Sequence, residues 1–137
     1  MKKIIISLIT ICLLASLADK ANDPSKKSIK KQQASNAIVS KVVITADQSS
    51  FTGKCPHIVK FTATIYSTGT GTVQFKWLRS DGGHPAHNPS ITLGGTGTDT
   101  VTYEWRLGKN FQGWVAMQTI TPNQVKSNNA NFQITCN

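Results

Sequence analysis

The chain predicts an all-β fold, an antiparallel β-sandwich of about seven strands, and three observations carry that expectation. Two segments repeat one pattern of valine, polar, aromatic, charged, tryptophan: Val73-Gln74-Phe75-Lys76-Trp77 and Val101-Thr102-Tyr103-Glu104-Trp105. Each follows a Gly-Thr-Gly-Thr stretch, and strict alternation of this kind suits a strand with one buried face, so both tryptophans are expected to point inward with their valines. Second, the other apolar runs are short, are bounded by glycine, proline or asparagine, and nowhere show the period of a long amphipathic helix. Third, after a distinct N-terminal segment about a hundred residues remain, enough for one hydrophobic core.

Residues 1–18 read as a secretory signal peptide. Lys2 and Lys3 supply the positive start, residues 4–14 an apolar stretch, and Ser16-Leu17-Ala18 small residues at −3 and −1 of a cleavage site. The apolar stretch is too short for a transmembrane helix, so no transmembrane segment is expected in the mature chain. Ile11 stands where lipid attachment at Cys12 would want a small residue, so Cys12 is expected to leave with the signal. The mature protein is then secreted or periplasmic, and the lysine-rich start suits a bacterial exporter. Residues 19–36 form a flexible basic leader, with five lysines and two aspartates up to Ser35 and almost nothing apolar to offset ordering entropy. Residues 37–137 are the folded domain. The formal net charge of +9 is spread over all three parts, and over half of it lies outside the domain. The excess reads as solvated surface charge. No aromatic residue interrupts the leader for base stacking, and no nucleic-acid partner is expected.

Within the domain, residues 37–46 open the fold, with Val42-Val43-Ile44 strongly β-prone. Residues 47–56 read as a polar crossing that ends at Cys55-Pro56. Residues 58–66 then alternate, with Val59, Phe61, Ala63 and Ile65 inward. The Gly-Thr stretch at 68–71 reads as a hairpin turn into the Trp77 strand. A loop at 81–89, rich in glycine, proline and histidine, leads to a short strand at 90–93. A second Gly-Thr turn enters the Trp105 strand. Residues 108–113 read as a loop, 114–120 as a strand and 121–123 as the start of another loop. The last strand, 130–136, places Ala130, Phe132, Ile134 and Cys136 on one face. Two cysteines in an exported domain are most simply one disulfide, Cys55 to Cys136. That bridge would close an 81-residue separation. In the chain-entropy account such a loop contributes about 4.5 kcal/mol, less any strain.

The series Cys55-Pro56, Phe61, Val73-x-Phe75-x-Trp77, Ser80-Asp81-Gly82, Gly97-Thr98, Val101, Trp105, Gly113-Trp114, Pro122, Ser127, Ala130-x-Phe132 and Cys136 resembles a group of secreted bacterial immunoglobulin-like domains. The match spans roughly residues 40–136. It implies an immunoglobulin-like sandwich with a Cys55–Cys136 bridge and inward tryptophans, and it implies no activity. The pattern departs from antibody domains, whose second cysteine lies on the penultimate strand, whereas Cys136 is on the last.

Candidate chemistry is sparse. Asp81, His84 and His87 share one loop and are weak candidates for a divalent-metal set, since imidazole and carboxylate both suit zinc or copper. Pro85 lies between the histidines and no fourth ligand is evident, so a polar connecting loop is the favoured reading and no metal or cofactor is expected. Glu104 is the only glutamate and alternates outward, no nucleophile motif surrounds any serine, and an enzyme is not expected. Leu78 and Arg79, beside the 81–89 loop, are candidates for a recognition rim, and Phe111 is the aromatic most expected to be exposed as a partner anchor, with Trp114 assigned to the core. The leading functional expectation is an exported, non-enzymatic domain that binds a protein or a cell-surface glycan. An inhibitor or chaperone-like partner acting through its loops is the alternative, and a small metal-binding domain the third.

Overall fold

The computed structural model describes residues 36–137; the signal peptide and nearly all of the leader lie outside the described residues. Eight strands occur in the order β1 (Ile38–Ala46), β2 (Ser50–Gly53), β3 (His57–Thr68), β4 (Thr70–Arg79), β5 (Ser90–Gly94), β6 (Gly97–Leu107), β7 (Phe111–Thr121) and β8 (Ala130–Cys136). They form a smaller sheet, β1-β3-β6, and a larger one, β2-β8-β7-β4-β5. The expected all-β sandwich is what the chain forms, and its layout is immunoglobulin-like: β4, β7 and β8 occupy the places of the C, F and G strands, and β1, β3 and β6 those of A, B and E.

Alternation explains the core. Val59, Phe61, Ala63 and Ile65 on β3 are all fully buried, as are Val73 on β4, Val115 and Met117 on β7, and Ile134 on β8. Trp77 and Trp105 are buried at 3% and 7% exposure, so the phase read from their valines holds. Phe132 sits among Phe61, Trp105 and Phe111 at ring-centroid separations of 5.2, 5.5 and 5.8 Å, while Trp77 stacks on Tyr103 at 5.2 Å. Offset and edge-on pairs of this kind add to the burial of the rings themselves. On β1 the alternation breaks, because a bulge between Val39 and Lys41 inserts one residue and lets both Val39 and Val42 face the core.

Three features differ from the sequence reading. The polar crossing at 47–56 contains an eighth strand, β2, which pairs in parallel with β8 through Ser50↔Gln133 to Gly53↔Cys136. Only four residues long and flanked by polar residues, it has too little apolar pattern to stand out. The Gly-Thr stretches are not hairpin turns, since β3 and β4 belong to opposite sheets, as do β5 and β6. They are sandwich corners. At Gly69 the chain turns with φ of 74° so close to the Asn36 carbonyl that a Cβ would lie 2.3 Å from its oxygen, a position only glycine fills. Finally, β7 begins at Phe111, three residues before the expected start.

Two asparagines close the free edge of β1. Asn123 accepts from the Val39 N–H at 2.9 Å and donates to the Val39 carbonyl at 2.7 Å. Asn128 does the same for Ile44 at 3.0 and 2.9 Å. Each amide therefore stands in for one residue of a neighbouring strand and satisfies a donor and an acceptor that an edge leaves open. The segment carrying them is fastened to β7. The Thr119 hydroxyl donates to the Asn123 carbonyl at 2.6 Å and accepts from the Val125 N–H at 2.8 Å, and the Ser127 hydroxyl accepts from the Met117 N–H at 2.9 Å. The joint change Asn123→Ala, Asn128→Ala should cost about 2–4 kcal/mol in urea unfolding, because four part-buried backbone groups lose their partners. A midpoint within experimental scatter of the wild type would show that water replaces both amides without loss.

The Cys55–Cys136 disulfide is formed, with Cα atoms 5.4 Å apart. It ties the entry to β3 in one sheet to the end of β8 in the other. Cys136→Ser should lower unfolding stability by up to about 4.5 kcal/mol, read by chemical denaturation of oxidised protein against the variant.

Candidate functional site

Every residue of β7 is assigned a face by its neighbours. Val115, Met117 and Thr119 are fully buried, so Phe111 and Gly113 share the inward phase while Gln112, Trp114, Ala116 and Gln118 face out. This reverses two expectations. Phe111 is not an exposed anchor: it is half-buried and meets Trp105 edge-on at 4.9 Å as part of the core rim. Trp114 is not core: it is half-buried on the outer face of the larger sheet, where Lys126 Nζ lies 5.8 Å from its ring centroid. Ala116 beside it is fully buried yet stands outside the core cluster, covered from the outer side. The register pairs Ala116 with Leu78, so Leu78 and Trp114 flank the small residue between them.

Trp114, Leu78 and Lys76 form the floor and walls of a cleft of about 440 Å³, roofed by Gly82, Gly83, His84 and Asn88 of the 81–89 loop. Its size falls within the range of small-ligand sites. Leu78, a rim candidate of the sequence reading, is among the residues that line the cleft. Ser80 fixes Trp114 from the opposite strand: its N–H donates to the Trp114 carbonyl at 3.0 Å, and its hydroxyl accepts from the Trp114 N–H at 3.1 Å. Gly113 makes that approach possible, because a Cβ there would lie 2.1 Å from Ser80 Oγ and 2.6 Å from the Phe111 ring.

Arg79 also lines this cleft, and it braces the loop as well. Its guanidinium lies 3.9 Å from the centroid of Trp105, within hydrogen-bond reach of the Tyr103 hydroxyl at 3.3 Å, and it forms a two-pronged ion pair with Asp81. Asp81 also accepts from the Gly83 N–H at 3.0 Å. The loop that roofs the cleft is thereby anchored through Arg79 to a core tryptophan. Hydrogen bonding to Arg79 holds the Asp81 carboxyl below its ordinary range, and the same bond raises Arg79.

The weak metal candidates do not gather. Among the described residues no three of His, Cys, Asp and Glu lie close enough to hold a metal ion, and Asp81 is committed to Arg79 and Gly83. His84 lines the cleft, whereas His87 is exposed and is not among the residues that line it. Glu104 is exposed on the smaller sheet, where it is the register partner of Lys60. No helix of the described residues is long and apolar enough to cross a membrane.

Trp114, Lys76 and Asn88 are among the site residues that sequence reasoning did not select. A signal for Trp114 was present: Gln112 and Gln118 share its phase, and two polar residues on one phase of a strand mark the outer face. It was masked by Ala116 and Ile120, which make β7 look apolar on both sides.

No family model matches the chain, and no curated protein matches it. Among solved structures, the CARDB domain of the PF1109 protein from Pyrococcus furiosus, in complex with di-metal ions, aligns with a TM-score of 0.57 at 10% identity over 74% of this chain and 96% of that one. A second, an alkylpurine DNA glycosylase of Pseudomonas fluorescens bound to DNA containing an abasic site analog, reaches a TM-score of 0.45 at 13% identity over 70% of this chain and 31% of that one. The first likeness shows the fold, an immunoglobulin-like β-sandwich. The second carries no argument.

The Arg79–Asp81 anchor has a defined pH dependence. A carboxyl whose folded pKa lies below its unfolded one contributes stability above the ordinary aspartate value of about 3.9, and that contribution is lost as pH falls through the folded value. Asp81→Asn should therefore melt below the wild type at pH 7, with the gap closing as pH falls below the ordinary aspartate range, measured by thermal unfolding at a series of pH values.

Proposed function

We propose that the protein is an exported, non-enzymatic binding module that recognises a cell-surface glycan at the Trp114 cleft. The observation that carries this reading is an indole half-exposed on the outer face of the larger sheet's middle strand, with polar residues lining the same cleft. Lys76 and Asn88 bring hydrogen-bonding ends to the same cleft, and His84 and the backbone of Gly82 and Gly83 complete its rim. A pyranose ring presents a patch of C–H groups on its faces and hydroxyls around its edge. The indole matches the first by dispersion contact, and the amide, imidazole and ammonium match the second. Apolar contact supplies affinity and the polar rim orients the ligand, the division of labour found in small-ligand sites.

The setting supports the rest of the proposal. A disulfide that spans the domain persists in an oxidising compartment, which suits the exported reading of residues 1–18. The polar residues of the cleft include no nucleophile held by a base, which favours recognition over turnover.

Trp114 is the most exposed of the three tryptophans, so a ligand-induced change in emission that is lost in Trp114→Phe reports on it. Titration with bacterial surface saccharides should quench or shift that emission. Trp114→Ala should weaken binding about tenfold or more while leaving the melting midpoint nearly unchanged, since the indole is outside the core cluster. Unaltered saccharide binding in Trp114→Ala would overturn the assignment of the site.

A further inference from the structure

The cleft beside Trp114 is one end of a longer track. On the other flank of the indole lies a second cleft of about 410 Å³, formed by Gln112, Asn131, Gln133 and Ser49 with Trp114 itself as the shared wall. A third, of about 240 Å³, follows at the β7–β8 end and shares Gln112 and Gln133 with the second. The pairing explains why they line up. Gln112 pairs with Gln133 and Trp114 with Asn131, so four side chains of one phase form two adjacent rungs on the outer face. Rungs two residues apart along a strand are separated by about 7 Å, and adjacent strands by about 5 Å.

We infer that this track binds a linear, uncharged oligosaccharide across at least three contiguous sugar positions, with Trp114 as the central platform. The inference rests on the glycan reading of the Trp114 cleft and extends it from one sugar to a chain. The chemistry of the second and third clefts selects the ligand class. Neither is lined by a charged side chain. Gln112, Asn131 and Gln133 are exposed, and a primary amide both donates and accepts, as a sugar hydroxyl does. A nucleic acid would require cations along the whole track; Lys76 and Lys126 lie near Trp114, and the second and third clefts add none. A protein partner would require an apolar centre to the patch, whereas on the outer phase of β7 and β8 Trp114 is bordered by the amides of Gln112, Asn131 and Gln133. The amides of Asn123 and Asn128 show the contrast: those two are taken up by the β1 backbone, while the three along the track point to solvent from strands that hold them in register.

The test is a calorimetric titration of the full mature chain with β-1,4-linked oligomers of glucose and of N-acetylglucosamine, from disaccharide to hexasaccharide. Affinity should rise about tenfold or more from disaccharide to tetrasaccharide in one series and then level off, as successive positions fill. In Gln112→Ala, Gln133→Ala the Kd for the longer oligomers should rise toward that of the disaccharide, with the melting midpoint checked to show that the fold is kept. Equal affinity at all lengths, with binding still dependent on Trp114, would overturn the extended track and leave the single-sugar reading standing. No binding by either series at any length would overturn the extended track, and no binding by any other surface saccharide would remove the glycan reading as well.

Discussion

The phase of β7 is the constraint on which the rest of the molecule depends. It is the middle strand of the larger sheet, paired with β4 on one side and β8 on the other, so neither neighbour allows it to slip alone. A strand has a period of two, and a slip of one residue would exchange its faces. In the observed register Val115, Met117 and Thr119 fill the core, and three consequences follow from that one choice. Phe111 turns inward to complete the aromatic cluster around Phe132. Trp114 is forced outward, to become the platform of the cleft. The Thr119 hydroxyl is placed where it can hold the segment that closes β1.

That last consequence joins the two layers. Side-chain packing between sheets is non-directional, and it does not by itself fix how one sheet lies over the other. The Asn123 and Asn128 amides do fix it, because each needs a carbonyl and an N–H of the same β1 residue at once. They also remove the row of open backbone groups that invites edge-to-edge association. The Cys55–Cys136 bridge and the short parallel strand β2 add a second closure, at the entry to β3 and the end of β8. The sandwich is thus fastened at two places by directional contacts, with dispersion and hydrophobic burial filling the space between.

Much of this was legible from residue order alone. Val73-x-Phe75-x-Trp77 alternates against charged and polar residues, and so does the run from Val59 to Ile65, so faces and burial could be assigned without a structure. β7 could not be assigned in that way, since Val115-Ala116-Met117 is apolar on both phases and only the polar Gln112 and Gln118 separate them. Phe111 and Trp114 exchanged roles for that reason. Sheet membership was illegible for a different reason. Gly69 and Gly95 mark sharp turns, but a glycine turn between two strands reads the same whether it returns within a sheet or crosses to the other. The Arg79–Asp81 pair was visible as neighbouring charges, but the stacking of Arg79 on Trp105 joins residues that only the fold brings together.

The cleft gains its rigidity from these same contacts. A binding loop on a sandwich is ordinarily the most mobile part of the domain, and ordering it on binding costs affinity. Here the loop at 81–89 leaves β4 through an arginine seated against a core indole, turns through a carboxylate bonded to that arginine, and lies beside a tryptophan whose backbone is bonded to Ser80. Buried and exposed indoles are linked through three consecutive residues, Arg79, Ser80 and Asp81. A change that loosens Trp105 in the core should therefore be felt at Trp114 on the surface, although Trp105 belongs to the smaller sheet and Trp114 to the outer face of the larger one. Trp114 and the start of the 81–89 loop are thus braced by the same few contacts, and the shape of the cleft between them follows from the core.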